Sequence, residues 1–435
     1  MSRSTFFRQS GWMMLAGVIM GVFMWAVHPV LVKPVDQVSL GVLTGFLKSV
    51  IKGPFDHDEY SLFTTLLQIV GLMSIPAAGL QIVFAQQTAS AVTPEQERQL
   101  RRTVHAVLGG ALASWLLGLA VVFLLRDQIL GQLHISHPAS LWLTILAGLP
   151  ILWAPVLSGV LQGRQNFMWL GWMAILNGIG RCLAVVVIVR LIGSRVGGAM
   201  AGVLLGVSAV LLVSLWQTRS VWRGQGDPVE WRLWLKRVLP LTIGLGASTF
   251  ILSADMIVVR SLFPGDPTGL YGAAGIIGRA LVYFTIPMAA VMFPKIVQSA
   301  VKAERTDVLA QALGATAFLG AGAAVFCTVF PGLPLQLVYD KSYLVIKPLV
   351  PWFAWCMLPL PLANVLINNL LARERFRAVP WLVVVAAAYG LTLLALAPQY
   401  VELEYLAAFK RVVQILGAFS LLLLAVSAWF TWRKD

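Results

Sequence analysis

The stretch Tyr60-Ser-Leu-Phe-Thr-Thr-Leu-Leu-Gln-Ile-Val-Gly-Leu-Met-Ser-Ile75-Pro76 carries no charge and closes on a proline. With its apolar continuation to residue 85 it is long enough to cross a hydrocarbon core of about 30 Å. A second stretch that opens on a Tyr and closes on Ile-Pro, with Arg279 inside it, runs from Tyr271 to Ile286-Pro287, 211 residues downstream. A nearly equal offset of 209 relates Leu161-Gln-Gly-Arg-Gln-Asn-Phe167 to Leu370-Leu-Ala-Arg-Glu-Arg-Phe376, and Pro150 to Pro359. Two offsets this close point to a duplicated unit.

Working outward, apolar runs recur near 12–33, 60–85, 104–125, 140–162, 168–189, 197–216, 238–260, 270–293, 309–331, 349–371, 379–397 and 405–430. Matched segments lie six spans apart, an even number, so the two halves share one orientation. Parallel repeats of this kind are related by an axis along the membrane normal, and substrate is expected between them. The fold class expected is therefore an all-α, polytopic membrane protein. It would have about twelve transmembrane helices in two parallel six-helix lobes around a central cavity. The N-terminal lobe would cover 1–216, a basic cytoplasmic linker 217–237, and the C-terminal lobe 238–435.

Composition supports a membrane chain: 59% of the 435 residues are hydrophobic and 11% charged, against about a quarter charged in soluble domains. A formal charge of +14 would point a soluble protein toward nucleic acid. Here it is read as loop charge, and no nucleic-acid partner is expected. Nineteen Lys and Arg fall on the side of the N-terminus and nine on the other, which predicts both termini in the cytoplasm. Arg3 and Arg8 precede an apolar stretch, Gly11 to Val32, too long for a signal-peptide core, so it reads as the first membrane helix. Cys182, Cys327 and Cys356 lie in apolar segments without CxxC spacing and are expected to be free thiols. His134-x-x-His137 has no further ligands nearby, and neither a metal nor a cofactor is expected. Residues 34–59 fit no span and read as an outer-side interfacial or re-entrant insertion. Pro54-Phe55-Asp56-His57-Asp58-Glu59 would then form the turn into the second helix.

These motifs resemble the lipid-linked oligosaccharide flippases of the multidrug/oligosaccharidyl-lipid/polysaccharide exporter superfamily. Asp58-Glu59-Tyr60-Ser61-Leu62-Phe63 is similar to that family's entry to the second helix, with Ser61 where Gly is usual. Leu161 to Phe167 resembles its fourth-helix exit. Asp255 followed by Gly269-Leu270-Tyr271-Gly272-Ala273-Ala274 resembles its seventh-to-eighth helix signature. The inserted 34–59 segment departs from the family, whose first two helices are joined more tightly. The resemblance implies two lobes around a cavity that opens alternately to each membrane face. It also implies transport of undecaprenyl-pyrophosphate-linked sugars across the bacterial inner membrane for polysaccharide biosynthesis and export. Membrane lipids, polysaccharide polymerase and glycosyltransferases are the partners it implies.

Ionisable residues inside spans cost about 2.5–3.5 kcal/mol on insertion scales and mark function by default. Here they are Arg181, Asp255, Arg279 and Lys410-Arg411, with Arg190 and Arg260 at outer ends expected to snorkel to the interface. Guanidinium groups match phosphate oxygens in bidentate fashion. Arg181, with Asn177 one turn away, and Arg279, with Tyr283 one turn away, are thus expected to line the cavity from opposite lobes and hold the phosphates. The alternative for Arg279 is a buried ion pair with Asp255. Asp255 is otherwise the candidate for binding a coupling proton or sodium ion. One of Lys410 and Arg411 can face the cavity, and Lys410 is the candidate. Asn364 and Asn368 share a helix face where they could bind sugar hydroxyls or join helices. A multidrug exporter of cations is the alternative function, but it would be expected to keep acidic residues inside the first six spans, which have none deep within them. A membrane enzyme of polysaccharide assembly would need a catalytic constellation on a large outer loop, and 34–59 offers no nucleophile.

Overall fold

The computed structural model describes residues 3–33, 55–135, 137–222, 230–280, 282 and 308–433, and among them every regular element is helical. Eleven helices there are long and apolar enough to cross a membrane. The chain is an all-α polytopic membrane protein, as the apolar runs predict. The eighth expected span, 270–293, lies only partly within the described residues. Residues 34–54 of the expected insertion and Tyr283 lie outside them.

The principal helices are α1 (Arg3–Val32), α2 (His57–Met73), α3 (Ile75–Ser90), α4 (Pro94–Leu124), α5 (Pro138–Gly163), α6 (Phe167–Val185), α7 (Val196–Gln217) and α8 (Trp231–Leu262). They are followed by α9 (266–280), α10 (Val308–Val329), α11 (Val350–Met357), α12 (Pro359–Ala372), α13 (Val379–Ala395) and α14 (Tyr405–Trp432).

Local sequence explains where several begin and break. Asp56 and Glu59 form a reciprocal cap on α2: the Glu59 N–H donates to Asp56 Oδ1 at 2.7 Å, and the Asp56 N–H donates to Glu59 Oε2 at 3.2 Å. Two orphan N–H groups are thereby satisfied, and the acidic turn is the helix start itself. Pro76 has no N–H to continue α2's ladder, so α2 and α3 are separate helices of one 34-residue crossing. Thr93 and Gln96 build the same box on α4. Pro359, Pro361 and the break at Leu358 separate α11 from α12 within the crossing Lys341–Ala372. The end of α6 loosens into a π-helical turn, Val186–Leu191, which carries Arg190.

The chain divides into two compact units. The first contains the N-terminal residues to Leu31 and Ile69–Thr242; the second contains Pro54–Gln68 and Ile243–Asp435. Two helices thus contribute to both units: the crossing formed by α2 and α3, and α8. In the first unit, α5 packs on α3 and α7, and α6 packs on α7. Gly159 and Gly163 of α5, four residues apart, meet the backbone of α3 at Gln81 and Ala85, where a Cβ would collide. Close backbone approach through small residues is how helices gain contact in lipid. In the second unit, α14 packs on α11, α12 and α13.

Candidate substrate and coupling sites

The second unit holds the most deeply buried charges. Asp255 on α8 and Arg279 on α9 are 0% and 1% exposed, and they form an ion pair. Arg279 Nη2 donates to both carboxylate oxygens at 2.7 and 2.8 Å, and Nε donates to the Leu252 carbonyl at 3.0 Å. The Tyr271 hydroxyl donates to Asp255 Oδ2 at 2.6 Å. The pair is therefore neutral and clasped by hydrogen bonds, the condition under which an apolar interior tolerates charge. Of the two expectations for Arg279, the structure displays the ion pair. Asp255 meets that guanidinium directly, and a coupling proton or sodium ion would have to compete with it.

A second polar cluster surrounds the start of α2. Arg260 is fully buried, donating to Asp58 and to Ser61 Oγ, the latter at 2.8 Å. The expectation that Arg260 snorkels is corrected here, because a carboxylate and a hydroxyl satisfy it within the protein. Arg190, only 5% exposed, is corrected likewise: its Nε donates to the Val30 carbonyl at 2.6 Å within the first unit. Ser61 is one of the groups that binds Arg260. Beside it, the hydroxyls of Tyr60 and Tyr339 share a hydrogen bond of 2.6 Å, and Tyr343 stacks on Tyr339 with ring centroids 4.7 Å apart. Burial pushes the Tyr339 phenol above its ordinary range, against the opposing pull of its bond to Tyr60, so it stays neutral at physiological pH. His57 Nε2 lies 2.8 Å from Ser342 Oγ.

The glycines of the α9 signature explain how that helix reaches α2. A Cβ on Gly269 would meet the His57 backbone, and one on Gly272 would lie 2.7 Å from Thr64 Oγ1. Sequence spacing could not pair Asp58 with Arg260 or Tyr60 with Tyr339, because those contacts join segments about 200 or more residues apart. The one available signal was the polar density of Asp56 to Ser61.

The first unit carries Arg181 and Asn177 on α6, both half-buried. His28, buried on α1, lies within electrostatic reach of Arg181. Asn177 is one of the residues lining a cavity of about 230 Å³ between α3, α5, α6 and α7, together with Ser74, Gln81 and Ser158. Arg181 and Arg279 thus belong to different units. Lys410 is exposed, with its ammonium 4.4 Å from the centroid of the Trp352 ring, a cation–π contact. Asn364 and Asn368 are half-buried on α12, and the Asn368 amide donates to the Asn364 carbonyl at 2.8 Å within its own helix. Cys182, Cys327 and Cys356 are free. Among the described residues no group of three or more His, Cys, Asp or Glu could hold a metal.

Comparison with known proteins bears on the family and the fold. The family model described as "Polysaccharide biosynthesis protein" matches residues 57–300. Among solved structures, the chain is similar to an inward-facing multidrug resistance MATE family transporter of the MOP superfamily. That match has TM-score 0.67 and 11% identity, covering 98% of this chain and 94% of that one. The lipid II flippase MurJ in an inward closed conformation matches with TM-score 0.65 and 13% identity, over 98% and 87% of the two chains. A MOP superfamily transporter from Pyrococcus furiosus, described by a reversed polarity of its binding pocket, matches with TM-score 0.62 and 13% identity, over 97% and 94%. No curated protein sequence matches the chain. At these identities the structural likeness is one of fold alone.

Proposed function

The chain belongs to the polysaccharide biosynthesis protein family, and from that membership we propose that it is a flippase for a lipid-pyrophosphate-linked oligosaccharide. It would move this substrate across the bacterial inner membrane by alternating access between the N-terminal lobe 1–216 and the C-terminal lobe 238–435. The observation that carries this reading is the sign of the intramembrane charge. In the described spans of the first unit, acidic residues occur only in first helical turns, as with Glu95 and Glu97 of α4, while Arg181 and Arg190 lie within the crossing Phe167–Leu191. A binding region with cations and no carboxylates favours an anionic cargo over the organic cations of a drug exporter.

In this reading Arg181 holds a phosphate as a bidentate donor, and Asn177 meets the adjoining group one turn away. Arg279, Lys410, Asn364 and Asn368 are its remaining candidates for contact with the glycolipid. Arg279 would have to exchange Asp255 for a phosphate during the cycle, and Asp255 would then be the acid free to take a coupling ion. Both termini would lie in the cytoplasm, with glycosyltransferases acting before this step and polysaccharide polymerase after it.

The test is complementation. In a strain deleted for the gene, Arg181→Ala expressed at the level of the unaltered protein should fail to restore polysaccharide export. Normal export would remove Arg181 from the binding role.

A further inference from the structure

The cavity in the first unit has a chemistry distinct from that of the arginines. Its polar lining consists of Ser74, Gln81, Ser158 and Asn177, set among Pro150, Pro155 and small apolar residues. Among the described residues no ionisable side chain lines it. Asn177 Oδ1 is buried and has no hydrogen-bond partner. A buried acceptor without a donor costs about 1–3 kcal/mol, so the site is matched to a ligand that brings one. Two prolines in the surrounding helices leave carbonyls without their usual helical donor. Pro155 offers no N–H to the carbonyl of Ile151, and Pro76 none to that of Leu72; Ile151 itself lines the cavity. Gly206 of α7 lets α6 approach closely, since a Cβ there would lie 3.0 Å from the Asn177 carbonyl and 3.1 Å from both Asn177 Oδ1 and Arg181 Cβ.

Uncharged amides and hydroxyls with an acceptor to spare suit a ligand rich in O–H donors. Neither a phosphate, which needs cationic donors, nor an organic cation, which needs a carboxylate, is matched. The volume of about 230 Å³ lies below the roughly 300 Å³ at which drug-sized pockets begin. It suits a ligand smaller than a drug molecule, on the scale of a single sugar ring.

We infer that this cavity is a carbohydrate subsite that receives one sugar ring through Asn177, Ser158, Gln81 and Ser74. The inference rests on the flippase reading for its cargo. It adds that the protein holds the glycan itself, and does not bind by lipid and phosphate alone. Arg181 follows Asn177 by one helical turn, about 6 Å of rise, so a phosphate at Arg181 and the sugar attached to it fall on neighbouring positions.

The experiment places a reporter in the cavity. Ser158→Cys is made in full-length protein whose native cysteines Cys182, Cys327 and Cys356 are serine, and its labelling rate by a small methanethiosulfonate is measured in detergent. The probe is the free oligosaccharide released by mild acid from the lipid-linked fraction of the producing cells. Saturating probe should slow labelling about fivefold or more. Adding Asn177→Leu, or Gly206→Ala, which keeps Asn177 but crowds it, should abolish protection, each variant's rate with sugar being compared with its own rate without sugar. Absence of protection, or equal protection in both variants, overturns the subsite. Movement of lipid-linked oligosaccharide by the unaltered protein in vesicles is measured alongside. No protection with transport intact removes the subsite and leaves the flippase reading standing. Protection without transport does the reverse.

Discussion

Asp255 and Arg279 show how a single buried pair constrains a membrane domain. Each neutralises the other, and Tyr271 and the Leu252 carbonyl occupy further hydrogen-bonding positions. Removing one partner strands the other charge in an apolar interior, at a cost of about 3–5 kcal/mol. Arg279→Leu is therefore expected to lower the melting temperature of the detergent-solubilised protein. The double variant Asp255→Leu/Arg279→Leu should recover part of that loss, because no isolated charge remains. A double variant no more stable than the single one would show that the pair is not the unit that matters. Asp255→Asn keeps the side chain's shape but removes the counter-charge of Arg279, so its transport is compared per amount of folded protein. If Asp255 takes the coupling ion, transport by this variant becomes insensitive to the proton and sodium gradients. Unchanged gradient dependence would leave Asp255 with a structural role alone.

At the scale of elements, the start of α2 is held by the second unit through several kinds of contact at once. Asp56 and Glu59 cap it, Arg260 bonds Asp58 and Ser61, Tyr60 bonds Tyr339, and Gly269 and Gly272 admit α9 against its backbone. Gly272→Val should be destabilising, with a melting point lower by several degrees, since a Cβ there meets Thr64 and Met256. The same substitution at Gly322, where a Cβ meets nothing within 4 Å, should change the melting point little. Equal effects at the two positions would mean that the close approach is not what Gly272 provides. Much of this element was legible in the sequence: the acidic turn, the proline that ends α2, and the α9 signature. What those glycines and Asp58 touch was not legible. Arg260 looked like a snorkelling residue because a sequence shows its position near a helix end but not the carboxylate that folding brings to it. Arg190 misled for the same reason, its partner being the backbone carbonyl of Val30 on α1.

At the scale of the molecule, apolar length and the 211- and 209-residue offsets were enough to anticipate a polytopic helical bundle, because the bilayer allows few alternatives. The candidate site was less accessible. Arg181 and Asn177 were legible as an i, i+4 pair, whereas the cavity beside them depends on four helices meeting. Orientation is open to direct measurement: cysteines placed at the two chain ends should resist a membrane-impermeant thiol reagent in intact cells and react after permeabilisation. Labelling of either end in intact cells would contradict cytoplasmic termini. The most direct test of the flippase reading is made in vesicles containing the purified protein and lipid-linked oligosaccharide extracted from the producing cells. Glycan appearance on the opposite leaflet should be faster than in protein-free vesicles, and Arg181→Ala should slow it about tenfold or more, as expected for a lost charge-assisted contact. A rate equal to that of protein-free vesicles would contradict the account.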